Sequence, residues 1–434
     1  MAVAEPRSRA LPGALSTAAA DRPAAAAPRP ARDPDRPAAA DPRPVLIGFA
    51  DALAAPEAAW SLLDAGHPVV AFSHRGSRPA LRRSRAVRIV EITSPREDAR
   101  RSASDLRALV ERGDFAAAMP LDDASVWLCD EALRSADIPI AGPLGELAEL
   151  ALDKRRQLEQ ARRAGLDVPP TQPIESVAEL LELSSLPVVL KAARPVAETR
   201  GRLRRGPSFV CGDRVELRAA ARAWNGSGTL LAQPLLSGAG EGLFGIAAPH
   251  RLLAVSAHRR LRMMNPSGSG SSACASAGVD DELLRGGERM LSAIGWSGMF
   301  MLEFLRGADG RAWFMELNGR PWGSMALARR LGLEYPAWAV RRLSDEDWEP
   351  PARPAVEGLV CRHLGRELVH LMAVLRGPRS VALTHWPSRR ATIRDVLRFS
   401  RDEAWYNSRP GEGRLFVEDA IGTVIARMRP RAGG

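Results

Sequence analysis

The chain has 434 residues, 45% hydrophobic and 26% charged. That is an ordinary globular composition, with length for about two to four domains. No run approaches the ~18 uninterrupted apolar residues of a membrane-spanning helix, so no membrane partner is expected. The net charge is +10, from 61 basic and 51 acidic residues.

Only two of the basic residues, Lys154 and Lys191, are lysines. So uniform an arginine excess reads as arginine serving wherever a surface cation suffices, not as a nucleic-acid patch. With only Tyr335, Tyr406 and ten Phe beside the tryptophans, there is little aromatic interleaving for stacked bases. No nucleic-acid partner is expected. Cys129, Cys211, Cys274 and Cys361 are too far apart for a metal knuckle or a disulfide framework, which implies a reduced, cytoplasmic protein.

Residues 1–43 are dominated by Ala, Pro and Arg, and the first 42 hold 15 Ala, 8 Pro and 6 Arg. Such a segment cannot form a core, and it reads as a disordered tail. From residue 44 the pattern alternates. Val45–Ala50, Val69–Phe72, Val87–Ile92, Phe115–Met119 and Ile138–Ala141 read as strands, with helices over 56–65, 102–112 and 123–134 between them. Alternation of this kind implies a parallel, Rossmann-like sheet over 44–142. Its first strand-to-helix turn, GFADAL, lacks the glycines that let backbone approach a pyrophosphate.

A helix over 147–164 is expected next, then a short strand, LPVVLKA, that carries Lys191. Residues 194–206 read as a basic, flexible loop. Leu230–Leu235, Leu243–Ala247 and Leu252–Ala257 read as strands, and the Gly/Ser-rich Asn265–Ser272 (NPSGSGSS) as a loop able to form an anion nest. Gly240, Gly242 and Gly245 match G-x-G-x-x-G, but a strand and not a helix follows, so the dinucleotide reading is rejected.

The hairpin Met299–Leu305 and Arg311–Leu317 carries the chemistry. A two-residue type I′ turn at Asp309 and Gly310 would pair Ala308 with Arg311. Counting back along both strands then sets Glu303 opposite Glu316. At ~5 Å and an effective dielectric of ~20, the two carboxylates repel by about 3 kcal/mol. A divalent cation between them would convert that cost into binding, with Asn318 as a third, neutral oxygen ligand. Hard oxygens of this kind suit Mg²⁺ or Mn²⁺, with nucleotide phosphates completing the shell. The bland alternative is a different register with two solvated glutamates. In an arginine-rich chain the two surviving lysines point to places where a compact ammonium must meet a phosphate; chance survival is the alternative.

These residues carry a resemblance. From Leu152 to Leu343 the chain resembles the ATP-grasp fold of carbamoyl phosphate synthase and related carboxylate–amine ligases. LDKRRQLEQARRAGLDVPPT resembles the family's leading helix, which implies that Lys154 meets phosphate. LPVVLKAARP resembles its nucleotide strand, with Lys191 as the second phosphate lysine. LLAQPLLSGAGEG resembles its hinge, which implies that Gln233 and the backbone at Leu235 read adenine and Glu241 holds ribose. GWSGMFMLEF and WFMELNGRPWGS resemble its metal segment, with Glu303, Glu316 and Asn318 as ligands and Arg320 on the transferring phosphate or the acyl phosphate. The phosphate-covering loop is normally glycine-rich, whereas here Arg194, Arg200, Arg202, Arg204 and Arg205 crowd it.

The fold implied is α/β and α+β: a Rossmann-like pre-ATP-grasp domain at 44–142, an ATP-grasp domain at 143–343 with its lid over about 187–235, and a mostly helical extension at 344–434. The activity implied joins a small-molecule carboxylate to an amine or related nucleophile through an acyl phosphate, using ATP and Mg²⁺ or Mn²⁺ and releasing ADP and phosphate. A nucleotide-binding regulatory or scaffold module without turnover is the alternative. Arg259 and Arg260 (HRRLR) are candidates for the substrate carboxylate, or simply an exposed basic strand. The last segment could serve as a homodimer surface, a substrate cap or a partner dock.

Overall fold

The computed structural model describes residues 42–268, 270–398, 400 and 403–428. All but the last two residues of the expected disordered tail lie outside them. The first sheet comes from β1 (Val45–Gly48), α1 (Ala55–Asp64), β2 (Val69–His74), β3 (Val87–Ile92), α2 (Ala99–Arg112), β4 (Ala117–Pro120) and α3 (Asp123–Leu133). Its order is β3-β2-β1-β4 and every pairing is parallel, as the Rossmann-like reading requires. Ile140 adds a single bridge to Ala118 in place of the expected fifth strand.

Two helices stand where the sequence predicts one: α4 (Glu146–Ala151) and α5 (Lys154–Arg163). The break is Asp153. Its backbone is extended and its side chain accepts from the amides of Arg155 and Arg156, an N-cap that starts a new helix. Lys154 is therefore a first-turn residue and not part of a continuous helical face.

The next stretch comprises β5 (Gln172–Ile174), α6 (Val177–Glu182), β6 (Val188–Ala192), β7 (Val196–Thr199), β8 (Arg202–Arg205), β9 (Ser208–Cys211), α7 (Arg214–Trp224) and β10 (Leu230–Pro234). Four of these strands pair in the order β5-β10-β6-β9, so this subdomain begins before residue 187, at Gln172. The basic segment 194–206 is not a loop. Strands β7 and β8 form a separate hairpin, turned by Arg200 and Gly201 at positive φ. Its Val196 and Leu203 pack with Val126, Ala148 and Leu152.

The third sheet is built from β11 (Ala239–Ala248), β12 (Arg251–Met263), β13 (Ser271–Ala277), α8 (Asp281–Ala293), β14 (Gly298–Arg306), β15 (Ala312–Asn318), α9 (Met325–Arg330), α10 (Tyr335–Ser344), β16 (Val360–Arg362), α11 (Leu364–Arg376), α12 (Arg389–Leu397), β17 (Glu403–Trp405) and α13 (Gly413–Met428). Its order is β15-β14-β11-β12-β13-β16-β17. Strands β16 and β17 thus bring the C-terminal extension into the sheet, which the boundary at 343 does not anticipate. Strand β13 is SSACASA, whose small residues have weak strand preference; pairing on both sides makes it a strand. One apolar core joins the first sheet to the third, with Val45, Ile47 and Trp60 packed in the same cluster as Phe244, Ile246, Trp322 and Tyr335.

Candidate active site

The β14–β15 hairpin sets Glu303 directly opposite Glu316, the pairing the sequence predicts, but by a different route. The turn is the longer Gly307–Arg311 loop, with Gly310 at φ +83° and a hydrogen bond from the Gly307 amide to the Arg311 carbonyl at 2.8 Å. That shifts the register by one residue next to the loop, where Arg306 faces Ala312. A bulge between Glu303 and Phe304 shifts it back. The two departures cancel.

The carboxylate repulsion is met by cations. Lys154 Nζ donates to Glu316 Oε2, and Arg260 Nη2 donates to Glu303 Oε2. Asn318 is buried; its amide nitrogen donates to Glu316 Oε1 at 3.2 Å, and its oxygen accepts from Arg320 Nη2 at 3.1 Å. Arg320 also donates through Nε to Asp123 at 2.8 Å. Asp123, the first residue of α3, reaches the site from the Rossmann-like domain and is a partner the sequence reading missed.

The two lysines converge because the Lys154 amide donates to the Ala193 carbonyl, at 2.8 Å, just past the end of β6. Burial lowers the Lys191 ammonium to about 8, and the nearby Lys154 charge adds to this against the opposing pull of Glu316 and Glu303. Burial would also lower Lys154, but the Glu316 carboxylate outweighs it and holds the ammonium above its ordinary value. Burial would raise Glu316, yet Lys154 wins and holds that carboxyl well below the usual range.

Glycine explains the close approach on β11. Gly242 lies opposite Glu303 and Gly240 lies under Arg260, where an added Cβ would stand 2.7 Å from Arg260 Cδ. The glycine run that mimics a dinucleotide motif therefore makes room for the charged face of the sheet. His258, opposite Gly242, belongs to the same face. Its ring stacks on Phe244 and its Nε2 lies 3.0 Å from Ser324 Oγ. Burial, reinforced by Arg260, pushes its imidazole down to about 3, so it is neutral.

Not every expected residue joins this cluster. Glu241 is out of phase with Gly242 and starts from the other face of β11, where Arg306 Nε donates to it at 2.8 Å. Arg259 faces Glu241 across β12 and is exposed, which separates it from Arg260. Gln233 is buried in β10 and donates to Thr171 Oγ1 at 2.9 Å, and the Leu235 amide donates to the Pro187 carbonyl at 3.4 Å. In the antiparallel β6–β10 pair Lys191 faces Leu231, two residues before Gln233, so Lys191 and Gln233 share one face of the small sheet.

No known family profile and no curated protein matches the chain. Solved structures do. An L-amino acid ligase from Bacillus licheniformis superposes with a TM-score of 0.55 at 17% identity, covering 70% of this chain and 74% of that one. Biotin carboxylase from Campylobacter jejuni, as a β,γ-ATP complex, gives 0.56 at 17% identity over 73% and 74%. N5-carboxyaminoimidazole synthetase from Staphylococcus aureus, complexed with ADP, gives 0.52 at 14% over 68% and 76%. At these identities the likeness is one of fold.

Proposed function

We propose that this chain, whose fold is ATP-grasp behind a Rossmann-like domain, is an ATP-dependent ligase that joins a carboxylate to an amine. One observation carries the reading: opposed Glu303 and Glu316, each matched to a cation, beside a second lysine with no carboxylate of its own among the described contacts. Two carboxylates and the Asn318 amide make a hard-oxygen set that fits Mg²⁺ but is too small to enclose it, so phosphate oxygens would complete the shell. A bound Mg²⁺ would neutralise phosphate charge.

The chain's own groups bind and orient. Lys154 and Lys191 would each take phosphate oxygens, releasing Glu316 from Lys154 to the metal. Gln233 and the Leu235 backbone would receive the base, and Glu241 the ribose once freed from Arg306. Arg320, held by Asp123 and Asn318, would face the transferring phosphoryl group. Arg260, freed from Glu303, would hold the substrate carboxylate in line. A carboxylate oxygen then attacks the γ-phosphorus and expels ADP, and the amine displaces phosphate from the acyl phosphate. The rate comes from positioning and charge neutralisation. The compartment proposed is the cytoplasm; among the described residues no helix is long and apolar enough to cross a membrane.

The test is a matrix of carboxylates and amines with ATP and Mg²⁺, read by phosphate and ADP release. Turnover that needs both partners supports the ligase. Nucleotide binding with no turnover for any pair would instead make the chain a binding module.

A further inference from the structure

Arg366 has no role in the site described so far. It lies in the first turn of α11, whose Glu367 is held by Arg262, by Arg362 and by Ser272 Oγ at 2.7 Å. That buried network fixes the helix start against β12 and β13. The Arg366 side chain is half-buried, yet its only side-chain hydrogen bond runs from Nη1 to the Ser271 carbonyl at 3.0 Å, and no carboxylate pairs with it among the described residues. Three other arginines of this region each have a carboxylate: Arg260 has Glu303, Arg262 has Glu367 and Arg320 has Asp123.

Two glycines make the space the Arg366 guanidinium occupies. A Cβ on Gly270 would stand 2.6 Å from Nη1, and one on Gly323 would stand 3.8 Å from it. Gly323 follows β15, which carries Glu316 and Asn318, with Arg320 just after it; the same added Cβ would stand 2.7 Å from Leu53 Cδ2 in the β1–α1 connection. Burial lowers the guanidinium to about 10, with Tyr406 and Asp419 opposing and Arg427 and Arg260 adding to the effect. Arg260 is thus the link: it is bound to Glu303 on one side and felt by Arg366 on the other. Lys191 feels Lys154, Glu316 and Glu303. Among the described residues neither Lys191 nor Arg366 has a paired carboxylate; the first lies in the electrostatic reach of Lys154 and Glu316, the second in that of Arg260. Lys191 suits nucleotide phosphate, and Arg366 suits substrate.

Resting on the ligase reading, we infer that Arg366 binds a second, unreactive carboxylate of the substrates, through its fork-shaped guanidinium between the Ser271 carbonyl and Gly323. The substrate class is a dicarboxylate as acyl donor or an amino acid as amine. In both cases a free carboxylate forms a bidentate pair with Arg366 while another group reacts near Glu303.

The experiment uses the full chain with ATP and Mg²⁺. One arm compares succinate, glutarate and adipate with butyrate, valerate and hexanoate. The other compares glycine and alanine with methylamine and ethylamine. Phosphate release gives kcat and KM, and calorimetric titration of the same compounds, with and without an ATP analogue, gives affinity independently of turnover. In one arm the compound with the free carboxylate should be at least tenfold better, and that arm identifies its source. Arg366→Gln should erase the preference through KM, leaving analogue affinity within twofold, and Arg366→Lys should restore part of it. No preference in either arm, or a preference that survives Arg366→Gln, overturns the inference. Loss of all affinities together would make Arg366 structural, which also overturns it. Failure of the wild type to bind the ATP analogue would sink the ligase reading, whereas the titrations without nucleotide would still decide whether Arg366 holds a carboxylate.

Discussion

At the scale of single residues, the pairing of each hairpin glutamate with a cation changes what substitution does. Repulsion alone would let the metal-free protein keep or gain stability on losing one charge. With Lys154 on Glu316 and Arg260 on Glu303, Glu316→Gln instead strands an ammonium. We expect metal-free stability to fall by about 1–3 kcal/mol, and turnover to fall at least 100-fold, measured by denaturant titration and phosphate release. Lys191→Arg should act as a severe loss, because a planar fork cannot take the place of a compact ammonium. Nucleotide affinity within twofold of wild type would place Lys191 outside the phosphate site. The depressed Lys191 value of about 8 also sets a pH dependence. A triphosphate favours the charged form, so nucleotide binding above pH 8 should draw in a proton and weaken as pH rises further. Calorimetry in buffers of different ionisation enthalpy should show that uptake in the wild type and not in Lys191→Met.

At the scale of elements, the β7–β8 hairpin shows how a basic stretch becomes a lid candidate. Composition reads 194–206 as a mobile loop, because alternating arginines give no apolar face of their own. The apolar anchors Val196 and Leu203 are few, and their partners Val126, Ala148 and Leu152 lie outside the segment. Two backbone hydrogen bonds add to them: the Leu203 amide to the Pro95 carbonyl at 2.7 Å, and the Ala99 amide to the Gly201 carbonyl at 2.8 Å. Leu203→Ser should therefore loosen the hairpin, with little change in global melting temperature. Trypsin should cut at Arg200, Arg202, Arg204 and Arg205 several-fold faster in this variant. An ATP analogue with Mg²⁺ should slow the cleavage and a polynucleotide should not. Equal cleavage with and without nucleotide would end the case for a lid.

At the scale of the whole molecule, the core shared by the first and third sheets and the completion of the third by β16 and β17 tie distant parts of the chain together. Cys274, Cys361 and Tyr406 are buried in one cluster, with Cys274 Sγ 2.7 Å from Tyr406 Oη. Truncation at residue 343 would remove two of the three and bare the edge of β13. Such a protein should be insoluble or lack a cooperative transition, whereas the full chain should melt in a single step by calorimetry.

The sequence by itself determined the parallel sheet, because it rests on local periodicity, and it singled out the facing glutamates, although the turn and the bulge that set their register differ from the expectation. The same reading stopped at residue 343, broke no helix at Asp153 and found no strand in SSACASA. Only the tertiary structure decided those points. The strand of small residues and the completion of its sheet are chosen by partners far away in the chain, and the Asp153 cap by the amides of Arg155 and Arg156; periodicity carries no trace of them. For the same reason Asp123 was invisible: it gains its place beside Arg320 only when the sheets are packed together, since the charge that gives it meaning belongs to another element. His258 stands within HRRLR, but its partners Phe244 and Ser324 lie on other elements.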